Sequence, residues 1–529
     1  MAQHRTVQPP SSSVRAPGAM VASADHLATQ AGLALLARGG NAVDAAIATN
    51  AAIAVTGPHL CGMGGDLFAL VHDGDRVHAL NASGRAGSGA SAAALRADGH
   101  REMPFRHDVR TVTVPGCVDG WCALHERFGR LPLAEVLAPA IRLAAGGFPA
   151  SPLLVGSLAT LDDAARDALH ELVGQARRPG ARVRRPGVAA ALGAIAQAGR
   201  DAFYLGEFGN GLLAMGAGWY HGDDFTTPGA DWITPLSRPA FGHVLHTIPP
   251  NSQGYLLLGA AALAEQLDLP DDPDDARWAH LLVEAAKAAG RDRPAVLHDG
   301  ADGGSLVEAI ANRVGEIDPH RGSALRGRSH QGDTTYLCTV DADRMGVSLI
   351  QSNASGFGSW LVEERSGINL HNRGLGFSLV PGHPAELAPG RRPPHTLSPA
   401  LVTRDDGSLR SVLGTMGGDA QPQILLQLVT RLLRHGQSPS VAVNAGRWVL
   451  DGPTTGFDTW TGEGGPSVQL EGHVPGDWAG ELAELGHRVT STPSWSSDVG
   501  HAHVIVVDDD EMLGGAADPR TRVGSVAGM

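Results

Sequence analysis

DTTYLCTVDADRMGVSLIQ, residues 333–351, is the stretch on which the fold turns. TTYLCTV (334–340) and GVSLIQ (346–351) read as strands joined by the polar turn DADR. Residues 298–333 before them are polar and glycine-rich (HDGADGGS, RGSALRGRSHQGD) and read as a long exposed connector. Asp333-Thr334-Thr335 therefore stands where connector meets hairpin. By itself a Thr-Thr pair is only a β-branched opening to a strand. Its position offers more, because a cut before Thr334 would give that residue a free α-amine. A threonine hydroxyl is too weak an acid to attack an amide unaided, whereas an α-amine of pKa about 7.7–8.0 is a competent base near neutrality. Carrying base and nucleophile on one residue removes the need to orient two side chains.

On the C-terminal side, LSPALVTR (397–404) and SVLGTMGG (411–418) read as further strands, and a helix is expected from Gln421 to His435. On the N-terminal side, DHLATQAGLALLARGG (25–40) reads as a helix with Leu27, Ala31, Ala34 and Leu35 on one face, ended by Gly39-Gly40. NAVDAAIATNAAIAV (41–55) reads as a small-residue helix, buried on all sides. The glycine turn GPHLCGMGGD (57–66) leads into strands LFALV (67–71) and RVHAL (76–80). Residues 131–200 are helical in texture, and RWAHLLVEAAKAAG (277–290) is an amphipathic helix with Trp278, Leu281, Leu282, Ala285 and Ala289 in register. Helices stacked on antiparallel sheet, an α+β class, account for this order.

A chain of 529 residues, 43% hydrophobic, can bury a large core. A net charge of -14 with no basic stripe argues against nucleic acid as a partner. The cysteines, Cys61, Cys117, Cys122 and Cys338, include no C-x-x-C pair, so neither disulfide framework nor zinc site is expected. No cluster implies a metal or organic cofactor. Residues 1–17 read as a loose polar tail without a secretory h-region, and no apolar run is long enough to span a membrane. A cytoplasmic location is the expectation. GMGGD (62–66) lacks the lysine and helix of a P-loop, and its glycines are expected to be structural, near a pocket floor.

Several blocks in order resemble the γ-glutamyltranspeptidase family of N-terminal nucleophile (Ntn) hydrolases. They include MVASADHLATQAGLALLARGGNAVDAAIA (20–48), GPHLCGMGGDLFAL (57–70), TVPGCVDGW (113–121), IPPNSQG (248–254), DTTYLCTVDAD (333–343), RRPPHTLSPALV (391–402) and GTMGGDAQPQ (414–423). The resemblance implies an αββα sandwich, two stacked antiparallel sheets between helical layers. It also implies autocleavage into a large subunit, 18–333, and a small subunit, 334–529, with a dimer of the processed pair left open. By position, it makes Thr334 the nucleophile, Gly417 and Gly418 the oxyanion hole, Ser352 an aid to self-processing, and Arg85 a clamp for a substrate carboxylate.

The chain departs from the family's pattern at the substrate. Where glutathione-cleaving members hold the α-amino group in a motif ending Asp-Asp-Phe, this sequence has HNRGLGF (371–377), with Gly376 in place of the acid and Arg373 nearby. Arg373 would repel an ammonium. The paired serines for the glutamyl carboxylate are replaced by His395 and Thr396, and Asn353 stands one residue early. His395 reads equally as a carboxylate donor or a packed loop histidine. The short segment 377–392 implies a missing lid, an open pocket and water as acceptor. These traits resemble a bacterial transpeptidase-like branch. The small-molecule substrate is thus a γ-glutamyl or similar amide. An acylase acting on a non-glutamyl group, such as a β-lactam side chain, is the alternative within the class, and an uncleaved binding protein the alternative outside it.

Overall fold

The structure, a computed structural model, describes residues 13–323, 333–451, 459–460 and 467–529. Most of the expected tail, 1–12, and the last part of the expected connector, 324–332, lie outside the described residues.

Two seven-stranded sheets form the centre. One runs, strand by strand, 525–528, 20–23, 333–340, 346–354, 66–72, 77–82 and 231–233; the other runs 14–16, 513–516, 502–507, 409–415, 400–403, 243–247 and 236–240. Every pairing within them is antiparallel. Strand alternation divides the core. Tyr336, Cys338, Ile350, Phe68 and Leu70 point inward to meet Leu401, Val412 and Ile505 of the facing sheet. Leu337, Val347 and Leu349 point outward onto a helical layer containing Ala42–Thr56 and Cys117–Phe128. The other sheet carries Tyr255–Gln266, Ala276–Gly290 and Gln421–Val429 on its outer face. The result is the αββα stack that the resemblance implied.

Local chemistry explains the key helices. Asn41 and Asp44 form a reciprocal capping box at the start of Ala42–Thr56, and all of that helix is buried, as its composition required. Asp25 caps His26–Ala37 through Leu27 N at 2.8 Å. Ala34 is exposed there and Leu36 buried, so the apolar face is rotated from the expected one.

The reading of 298–333 as wholly exposed connector needs correction. Gly303–Ala311 is a helix capped by Asp302, and its Val307 and Ile310 enter the second core. Gly303-Gly304 masked the signal, although the apolar spacing of LVEAIA (306–311) was present.

Candidate active site

Thr334 pairs with Ser352 across adjacent strands. The alternation that sends Tyr336 and Cys338 between the sheets sends Thr334 the same way, and it is only 1% exposed. Its Oγ1 donates to Ser352 Oγ at 3.0 Å. The ladder is irregular at this spot. Asp333 pairs with Ala354 and Thr334 with Ser352, leaving Asn353 as an extra residue opposite the Asp333–Thr334 peptide. Such a bulge takes a peptide out of the regular hydrogen-bonded ladder and turns the chain. Ala354, just beyond it, sits at φ 73°, a left-handed conformation. Asn353 anchors the bulge by donating from Nδ2 to Pro58 O at 3.2 Å and from N to Leu60 O at 3.3 Å.

Ser352 Oγ is a hub. Besides Thr334, it accepts from Ala354 N at 2.8 Å and from Arg373 Nη2 at 3.1 Å. With so many donors directed at it, Ser352 orients the threonine hydroxyl and is a poor base. Arg373 Nη1 reaches Thr396 Oγ1 at 3.1 Å. Burial lowers the Arg373 pKa and Asp66 opposes that, leaving it at about 10, so it is a cation at neutral pH. Asp66, the first residue of strand Asp66–His72, is fully buried. Burial raises its pKa, but His371, His395 and Arg373 outweigh burial and bring it down to about 2. It also accepts from Gly84 N at 2.8 Å.

His395 is the packed histidine of the two readings. Its Nε2 meets Asp66 Oδ2 at 3.2 Å, Leu397 N donates to its Nδ1 at 3.3 Å, and its ring stands edge-on to Phe68. Burial, then Arg373, lowers its pKa to about 3, so it is neutral, with Nε2 the donor.

Gly417 and Gly418 follow strand Leu409–Thr415 of the facing sheet. Gly417 has φ 139° and Gly418 φ 55°, which a side chain would resist. Among the described residues nothing accepts a hydrogen bond from either N–H. Gln253 Nε2 donates to Gly418 O at 3.0 Å and to Thr396 O at 2.9 Å, tying this loop to the Arg373 side of the pocket. Gly65 supplies the floor, where an added Cβ would fall 2.4 Å from Ser352 O.

Arg85 does not join this network. Its side chain is 41% exposed, pairs with Asp231 at 2.8 Å, and donates to Gly390 O at 3.2 Å. It stands at the surface with two acceptors, apart from the network of Thr334, Ser352 and Arg373. Thr334 itself is buried in the uncut chain.

Sequence reasoning passed over Asp66, hidden in a glycine turn, and Gln253, Arg293 and Asp419. Arg293 Nη2 lies 3.1 Å from Asp419 Oδ1, beside the glycine loop. Elsewhere His280, Glu284 and His487 approach closely enough to ligate a metal. The Lys287 ammonium fills that position, 2.8 Å from Glu284 and 3.2 Å from His487.

An αββα stack with a threonine at a strand start, aimed between the sheets, defines an Ntn-hydrolase fold. The chain belongs to the γ-glutamyltranspeptidase family, whose model matches residues 28–529. It is 36% identical over 534 residues to an oxamate amidohydrolase proenzyme of Klebsiella pneumoniae, covering 96% of this chain and 98% of that one. A glutathione hydrolase-like proenzyme of Bacillus subtilis is 35% identical over 523 residues, covering 95% and 97%. Among solved structures, a cephalosporin acylase from Bacillus halodurans superposes with a TM-score of 0.89 at 33% identity, covering 100% of this chain and 99% of that one. The protein is therefore a hydrolase or transferase of amides, made as a proenzyme.

Proposed function

We propose that the chain cuts its own Asp333–Thr334 bond and then hydrolyses amides whose acyl group carries a carboxylate. In the first step Thr334 Oγ adds to the Asp333 carbonyl carbon, the C–N bond breaks, and the ester formed is opened by water. The freed Thr334 amine then takes the hydroxyl proton as Oγ attacks a substrate amide. Gly417 N–H and Gly418 N–H hold the oxyanion, the leaving amine departs with the proton, and water cleaves the acyl-threonine. The bulge opposite the Asp333–Thr334 peptide, with Ser352 oriented on Thr334 Oγ1, carries the self-processing part of this reading.

Arg373 carries the substrate class. A buried guanidinium on the residue that holds the nucleophile suits a carboxylate and repels the ammonium of an α-aminoacyl donor. A relative acting on oxamate, an amide with its carboxylate beside the carbonyl, favours the same class. The acylase reading is favoured by the cephalosporin acylase likeness, and turnover of a glutaryl anilide without turnover of the γ-glutamyl one would be its mark.

N-terminal sequencing of the purified protein tests the first step. Two bands are expected on a denaturing gel, one beginning TTYLCTV, and Thr334→Ala should leave a single band without activity. Full activity in an uncut chain, or in that variant, would end the reading.

A further inference from the structure

Arg293 opens the short helix Arg293–Val296 and is 8% exposed. Its approach to Asp419 is an ion pair without hydrogen-bond geometry, and its Nε is buried with no acceptor. Among the described residues nothing accepts a hydrogen bond from it. Arg185 and Arg373 also have a buried Nε without an acceptor, but their terminal nitrogens donate, and two further buried arginines are filled. Arg520 donates to Glu471, to Asp518 and to the carbonyls of Val443 and Ala445, and Arg447 to the carbonyls of Val443, Val499 and Gly500. A guanidinium has five donors, and leaving them unmet in the interior is costly. Two other groups share its surroundings. The Tyr255 hydroxyl is also buried without a partner, and the Arg293 charge acts on both Tyr255 and Arg373. Asp419 directly follows the glycine loop, and Gln253 ties that loop to Thr396, the partner of Arg373.

We infer that Arg293 is a substrate-binding residue, forming with Arg373 a two-arginine seat for the carboxylate of the acyl group, with the Tyr255 hydroxyl alongside. The inference rests on the proposed Thr334 amidohydrolase. A carboxylate offers enough lone pairs to accept from both guanidinium groups at once. An α-ammonium in the same place would itself be a third positive charge. The seat thus selects half-amides of dicarboxylic acids over α-aminoacyl amides. It also spans the cut, with Arg293 before position 333 and Arg373 after it.

The test compares wild type, Arg293→Lys, Arg293→Gln and Tyr255→Phe on the p-nitroanilides of oxalic, succinic, glutaric and acetic acids. Arg293→Gln should raise KM for the carboxylated anilides about tenfold or more, lower kcat far less, and leave the acetyl anilide unchanged. Arg293→Lys keeps the charge beside Asp419 and should recover part of the loss. Tyr255→Phe should raise KM by a smaller factor, and thermal unfolding will show whether each variant is folded. Calorimetry with oxalate, succinate and glutarate gives a readout independent of turnover, with binding at least about tenfold weaker in Arg293→Gln. Equal losses on charged and neutral anilides, an unchanged KM, or no dicarboxylate bound by wild type would each overturn the seat. Failure of the Thr334 reading is distinguishable, because it leaves one band and no anilide cleaved while calorimetry still reports on Arg293.

Discussion

Ser352 and Asp66 show how single side chains set the chemistry of the pocket. Ser352 accepts from the Thr334 hydroxyl, so under the proposed mechanism Ser352→Ala should slow self-cleavage about tenfold, the cost of a lost buried bond. A gel time course after translation or refolding reads this directly, and cleavage at the wild-type rate would remove Ser352 from the mechanism. Asp66 predicts a pH dependence. Its folded pKa of about 2 lies below the unfolded value of about 3.9, so the group stabilises the fold above that unfolded value. That contribution, on the order of 2 kcal/mol, is lost as pH falls from about 4 through 2. Urea midpoints at pH 7, 4 and 3 should therefore converge between wild type and Asp66→Asn as the acid range is entered. Parallel curves would contradict the assignment.

Elements bring these residues together by rules of register and turn geometry. Period-two alternation aims Thr334 between the sheets, and the bulge at Asn353 breaks the register of the ladder opposite the Asp333–Thr334 peptide. The glycine loop proposed to hold the oxyanion depends on backbone angles. At φ 139°, Gly417→Ala would be strained by about 1–3 kcal/mol, and its Cβ would approach Ile424 Cδ1 to 3.2 Å. Turnover should fall about 10²–10³-fold while the variant stays folded, as checked by circular dichroism and steady-state assay. Much at this scale was legible in sequence. The hairpin 333–351, the buried helix 41–55 and the glycine floor came from alternation, composition and spacing. The helix Gly303–Ala311 escaped because its capping aspartate and two glycines resemble loop chemistry, and only packing of Ile310 against the second core reveals it.

For the whole molecule, the interleaving of strands has a consequence for the cut protein. Strand 333–340 lies between 20–23 and 346–354, and strand 14–16 pairs with 513–516, so segments from both sides of position 333 share each sheet. The core between the sheets draws on both as well. Once cut, the two chains should co-elute in molar salt and unfold in one calorimetric transition, because burial and ladder bonds, little affected by screening, hold them. Separation of the pieces without denaturant would show that the sheets do not bind them.

Sequence by itself determined the family, the strand that opens at Asp333-Thr334 and the departure at HNRGLGF, since these depend on residue order and local periodicity. Tertiary structure alone decided which arginine lies next to the hydrogen-bond partner of Thr334. Arg85 reaches surface acceptors, whereas Arg373 and Arg293, remote from Thr334 in the chain, are folded in beside Ser352 and Asp419. Burial and partner distance set a guanidinium's surroundings, and both are properties of contacts between distant segments.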